Sequence, residues 1–166
     1  MASNRHLGRI VAMQTLYEYV FRMDCEDSTT DLTVILDRNI NRYSETIDDK
    51  VFIIKLVNGV AKESKELDAE LQPLAPDWPL DQISRIDHIV MWIGLYELIH
   101  HDDVPPKVVI NEAVELAKSF GSDSSSKFVN GVLGSMFNDM VKENPSLTDN
   151  KNYAKSELAT GEEETK

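Results

Sequence analysis

Three basic side chains, Arg5, His6 and Arg9, stand near the start of this 166-residue sequence, followed by Tyr17 in a segment with helical apolar spacing. Arg5 and Arg9 are four residues apart and so neighbours on one helix face, with His6, Met13 and Tyr17 on an adjoining one. Cations beside an aromatic ring suit single-stranded RNA, with phosphates meeting the arginines and a base stacking on the tyrosine. The competing reading is a solvated helix start with Tyr17 half-buried as core. Near the other end, Asn111 has only middling helix propensity and Asn130-Gly131 is a poor pair for a helix interior, glycine costing about 1 kcal/mol against alanine. They point either to amides free for binding or to packing: Gly131 at a close helix crossing and Asn111 capping a backbone group.

Other groupings lead away from catalysis. His100, His101, Asp102 and Asp103 invite a metal, yet adjacent histidines on a helix diverge by about 100°, whereas zinc needs converging ligands. Asp24, Glu26 and Asp27 lack the ligand spacing and glycine of a calcium loop. No Cys–His or Ser–His–Asp grouping suggests a nucleophile, and nothing pairs Glu97, Glu112 or Glu115 for acid–base work. The sequence therefore predicts a binding protein without metal or cofactor.

The elements that must position these residues are helical throughout. A first helix from Ser3 or Asn4 to Met23 buries Leu7, Ile10, Val11, Leu16 and Val20. After a polar connector, Thr29 or Thr30 is expected to cap a second helix carrying Leu32, Ile35, Leu36, Ile40 and Tyr43. A third starts near Asp48, with Thr46 as cap, and runs to about Leu71; Gly59 within it suggests a close crossing. Pro73, Pro76 and Pro79 then break the chain, with Trp78 expected as a plug between layers. The fourth helix, from Leu80 or Asp81 to His100, is apolar around much of its circumference and should be central. Pro105 and Pro106 open a fifth, which presents Ile110, Ala113, Val114, Ala117 and Phe120 on one side. Gly121 is expected to turn through left-handed dihedrals, with Asp123, Ser124 or Ser125 capping a last helix that buries Phe128, Val129, Val132, Leu133 and Phe137.

Composition sets the class. An apolar fraction of 42% and a charged fraction of 28% are those of a soluble globular protein, of a length that suits one domain. No apolar run is long enough for a bilayer, and the N-terminal segment reads as an amphipathic helix of the mature fold rather than a secretion or transit signal. The single cysteine, Cys25, suits a reducing cytoplasm. A formal net charge of −12 excludes a protein that grips nucleic acid over its whole surface, since such affinity needs phosphates neutralised by Lys and Arg. RNA would have to use a local basic patch and a partner's help. The domain is expected over residues 1–142, in helical halves of about 1–74 and 80–142, with a polar tail over 143–166 too poor in apolar residues to order itself.

The run from Ile110 to Gly134, INEAVELAKSFGSDSSSKFVNGVLG, closely resembles the NusB family of bacterial transcription antitermination factors. Gln14 to Tyr17 (QTLY), Val57 to Val60 (VNGV), Trp92 to Leu98 (WIGLYEL) and Val104-Pro105 follow the same resemblance, in order over roughly residues 5 to 142. It implies a compact all-α fold of two packed helical bundles, about seven helices in all. It further implies a non-enzymatic factor that binds boxA-like RNA with ribosomal protein NusE, chiefly in ribosomal RNA operons, and reaches the RNA polymerase elongation complex through other Nus factors. On that resemblance Arg5, His6 and Arg9 contact phosphates, Tyr17 stacks, Asp87 frames the RNA surface, and Lys127 and Asn130 add polar contacts. The exposed faces around Asn111, Glu112, Glu115 and Lys118 are the expected protein interface, and self-association into a homodimer is compatible with the family. The chain departs from the family in its thin basic start and in Gly134, where an acidic residue is usual. Two alternatives stand beside this reading: a helical scaffold that binds protein and has lost RNA, and a detached module of the kind that precedes the catalytic domain in some RNA cytosine methyltransferases.

Overall fold

The computed structural model describes residues 3–148; the tail reading beyond residue 148 lies outside them. The described residues are all-α: α1 (Ser3–Asp24), α2 (Leu32–Arg42), α3 (Lys50–Leu71), α4 (Arg85–His100), α5 (Pro106–Phe120) and α6 (Ser125–Glu143). Three 3-10 turns, Gln72–Leu74, Leu80–Gln82 and Pro145–Thr148, complete them, so six α-helices stand against the seven or so expected.

α4 is the centre. Between Asp87 and Leu98 it buries Ile89, Val90, Met91, Trp92, Ile93, Gly94 and Leu95 in succession, and it packs on α1, α3, α5 and α6. A helix apolar on every side can be stable only when neighbours cover every side. α1 packs on α2, α3 and α4, while α5 and α6 pack on each other and on α4. One buried core runs through all six helices, and a small satellite of Leu98, Val104 and Val109 closes the α4–α5 corner. No described helix is long and apolar enough to cross a membrane.

The caps differ from expectation in a consistent way. α2 is capped by Asp31, whose carboxylate accepts from the amides of Thr33 and Val34 at 2.9 and 3.2 Å. Thr29 and Thr30 instead bond Asp27 in the preceding turn. α3 is capped by Asp49, which accepts from Phe52 N at 2.9 Å, and not by Thr46. A carboxylate makes the stronger, charge-assisted bond and also meets the positive end of the helix dipole. α4 begins at Arg85, later than expected, because Leu80–Gln82 form a separate turn, Ile83 is extended, and Ser84 Oγ accepts from Asp87 N at 3.1 Å.

Trp78 is not a plug: it is 59% exposed. The Gln72 side chain stitches the proline-rich loop together, donating to the carbonyls of Ala75 and Trp78 and accepting from Leu80 N. That stitching turns Ala75 and Leu80 inward and leaves the indole outside. Gly121 is extended (φ −93°, ψ −165°), not left-handed. It is glycine for space, since a Cβ there would lie 2.5 Å from Ser125 Oγ and 2.7 Å from the Ala117 carbonyl.

The close helix crossing expected at both Gly59 and Gly131 is found at Gly59 alone. A Cβ at Gly59 would fall on the Tyr96 ring, so the close approach expected there is real, whereas one at Gly131 would meet nothing within 4 Å. Gly131→Ala should therefore stabilise the fold by up to about 1 kcal/mol through helix propensity alone. Gly59→Ala should destabilise it despite the same propensity gain, because displacing a packed ring costs about 1–3 kcal/mol. Paired urea titrations of the two variants test this; a Gly59→Ala midpoint at or above that of the unaltered chain would contradict the packing.

Candidate nucleic-acid interface

One face of α1 carries His6, Arg9, Met13, Tyr17 and Phe21 at spacings of three and four, a strip of about 22 Å at the helical rise. Its three parts have different chemistry: bases at the start, an apolar cleft in the middle and an aromatic–arginine group at the end.

At the start, every sequence-predicted base is already engaged. Arg5 is the accessible one, its side chain 35% exposed; Nη1 lies 2.9 Å from Asp103 Oδ2, Nη2 lies 3.7 Å from Asp49, and the guanidinium sits 4.8 Å from the Phe52 ring centroid. His6 Nδ1 lies 2.6 Å from Glu112 Oε2. Arg9 corrects the sequence reading: its side chain is only 3% exposed and is clamped to Glu97 by bonds of 2.8 and 2.7 Å. Arg5 and Arg9 share the Phe52 ring, but Arg9 points into the protein while Arg5 stays at the surface. Arg9 is therefore a structural ion pair, not a phosphate contact, in this arrangement.

Glu97 is 1% exposed, and burial works to raise its carboxyl; His101 and the Arg9 guanidinium outweigh that and hold it below the usual glutamate range. His101 Nδ1 stands 3.7 Å away, beyond hydrogen-bonding distance, and is otherwise buried without a partner. Asp103 is likewise held below the usual aspartate range, chiefly by its bond from Arg5.

In the middle, Met13, Gln14, Tyr17, Ile86 and Phe120 line a shallow, mostly apolar cleft of about 220 Å³. Phe120 is exposed there although its helical register marks it as core. Tyr17 is half-buried and continues into the third part, stacking parallel to Phe21 at 6.5 Å between centroids. Arg85 lies over both rings at 5.5 and 5.2 Å and is held by Asp24 at 2.9 Å. Asp87 is only 8% exposed, with Oδ1 buried and unpartnered, so it does not form an exposed acidic frame. It sits in the first turn of α4, where Ser84 captures its amide.

Lys127 and Asn130 are exposed on α6, and Asn111, Glu115 and Lys118 are exposed on α5. Glu112 is not a free surface acid: besides His6 it reaches within 3.8 Å of Arg9 Nη1. The expected RNA set and the expected protein-interface set therefore meet at one corner. Sequence reasoning missed the acids that face the bases, Asp49, Glu97 and Asp103. Only Glu97 left a signal, as the single acid within the otherwise apolar run from Ile89 to Ile99. Among the described residues no group of three or more His, Cys, Asp or Glu side chains could hold a metal ion. His100 turns away from His101 to bond Glu63 at 2.7 Å.

Comparison with known proteins places these features in context. The family model described as the NusB family matches residues 6–138. The transcription antitermination protein NusB of Dehalococcoides mccartyi (strain CBDB1) is 41% identical over 137 residues, covering 82% of this chain and 91% of the relative. That of Chloroflexus aggregans is 41% identical over 138 residues, covering 82% and 88%. The solved structure of T. maritima NusB superposes with a TM-score of 0.71 at 30% identity, covering 80% of this chain and 89% of that one. A structure of the antitermination factors NusB and NusE with double-stranded RNA has the same fold, with a TM-score of 0.72 at 21% identity, covering 84% and 99%.

Proposed function

The chain belongs to the NusB family, and from that membership we propose that it is a non-enzymatic transcription antitermination factor that holds boxA-like RNA jointly with ribosomal protein NusE. The observation that carries the RNA role is the exposed side of α1, where the accessible guanidinium of Arg5 stands at the helix start on the face adjoining the strip that carries the apolar cleft and the Tyr17–Phe21 rings. Phosphate meets Arg5 and His6, bases lie against Tyr17 and Phe120, and Lys127 and Asn130 supply further polar contacts. A net charge of −12 leaves this patch too thin to hold RNA alone, and the same charge steers a basic ribosomal protein toward the acidic face. NusE then supplies the missing cations. The surface of Asn111, Glu115 and Lys118 beside Glu112 is the proposed partner face, continuous with the RNA corner through the His6–Glu112 contact.

The test is binding of a fluorescent boxA-like RNA at two salt concentrations, with and without NusE from the same organism. Salt-sensitive binding that needs NusE is expected. Arg5→Ala should weaken it several-fold and reduce the slope of log affinity on log salt by about 0.7, the share of one phosphate on a single strand. Binding that ignores both salt and Arg5 would overturn the strip as the RNA surface. A second reading, a scaffold for protein alone, draws on the carboxylate already facing each N-terminal base. NusE binding without any gain in RNA affinity would favour it.

A further inference from the structure

Arg5 is the one N-terminal arginine with an accessible guanidinium, and its surroundings already resemble an occupied phosphate site. One face of the guanidinium rests on the Phe52 ring, and its two terminal nitrogens meet carboxylates from two different segments. These carboxylates are not equivalent. Asp49 is fixed, because its Oδ1 caps α3 through Phe52 N while the other oxygen faces Arg5 at 3.7 Å. Asp103 belongs to the short link between α4 and α5, has its side chain 63% exposed, and makes the shorter contact at 2.9 Å. A phosphate approaching from solvent meets Arg5 where Asp103 already binds it, and Asp103 is the group free to swing away.

We propose that Asp103 is an internal phosphate mimic that occupies Arg5 in the free protein, so that RNA must displace it and the strength of that contact sets RNA affinity. The proposal rests on the reading of Arg5 as an RNA contact. Asp49 remains behind as the fixed anchor that keeps the guanidinium over Phe52 during the exchange. The exchange replaces one carboxylate by one phosphate at the same donor, so Asp103 offsets part of what Arg5 gains from RNA in the unaltered chain. It also accounts for a need for help from a cationic partner, since any group that draws Asp103 away frees Arg5.

Removing any negative charge near RNA reduces repulsion, so the experiment must separate pairing from overall charge. Asp102 is the control: it is the exposed neighbour of Asp103 with the same formal charge. Affinity for a fluorescent single-stranded boxA-like RNA, with NusE present, would be measured for the unaltered chain, Asp103→Asn and Asp102→Asn, each also combined with Arg5→Ala. Asp103→Asn should tighten binding by about 2- to 5-fold, the range for loss of a competing surface ion pair. Asp102→Asn should give a clearly smaller gain, and the Asp103→Asn gain should vanish when Arg5 is alanine. Equal gains from the two asparagine variants would reduce the effect to overall charge and overturn the proposal. Weaker binding by Asp103→Asn would overturn it as well, making Asp103 a positioning residue for Arg5. No RNA binding by any of the proteins would overturn the proposed function and this inference together, an outcome distinguished by the silence of the unaltered chain.

Discussion

Arg9→Ala will lower the unfolding free energy by about 3–5 kcal/mol, because it strands a buried carboxylate. Glu97 is 1% exposed and takes two short hydrogen bonds from Arg9, which is itself 3% exposed. Removing the guanidinium leaves Glu97 with only the more distant His101 at 3.7 Å, so the acid must either stay charged without its partner or take up a proton. The effect is readable in the urea midpoint at neutral pH. Replacing both partners, as Arg9→Met with Glu97→Met, should recover most of the loss, since a buried pair is often no better than apolar side chains of similar volume. An Arg9→Ala protein as stable as the unaltered chain would show that the pair is not buried as described.

The same pair gives stability a pH dependence of known sign. The folded chain holds Glu97 below its ordinary range, so its contribution is complete above that range and is lost as pH falls through the depressed value. Glu97→Gln should remove that part of the acid limb. The consequence for function is practical: loss of RNA binding in Arg9→Ala would report damage to the corner between α1 and α4, whereas Arg5→Ala tests the RNA contact itself.

Leu95→Ala should cost about 2–5 kcal/mol, the range for a large apolar side chain deleted from a rigid core. Leu95 is fully buried at the middle of α4, and that helix is covered by α1, α3, α5 and α6. A cavity there has walls from several helices that cannot all move inward, so little of the loss is relieved by relaxation. Ile99, on the same helix but 40% exposed, is the internal comparison: Ile99→Ala should cost under about 1 kcal/mol. Denaturant titration of the two variants checks the contrast. Similar costs for both would mean that α4 is not enclosed at its centre.

The helices and the central place of α4 were legible because both depend on local periodicity, which any 15-residue window carries. The motif FVNGVLG and its companions carried the family for a different reason, since they are read as strings whatever the chain does in space. Caps were read less well: a side-chain cap was expected at the starts of α2 and α3, but Thr29, Thr30 and Thr46 compete with nearby aspartates, and local sequence does not rank them. Gly131 and Gly59 look alike in sequence, each following an asparagine within a helix; only the position of the Tyr96 ring tells them apart.

The candidate site shows the same division at larger range. Sequence by itself determined that Arg5, His6, Arg9 and Tyr17 share adjoining faces of one helix, because residues three and four apart must do so. It could not determine which of the two arginines meets solvent. That choice was made by Glu97, 88 positions away from Arg9, and by Asp103, 98 positions away from Arg5. Helical spacing fixes a side chain's direction about its own axis, whereas its exposure and charge partners come from the helices packed against it. One arginine thus became part of the core while its neighbour remained available to a ligand.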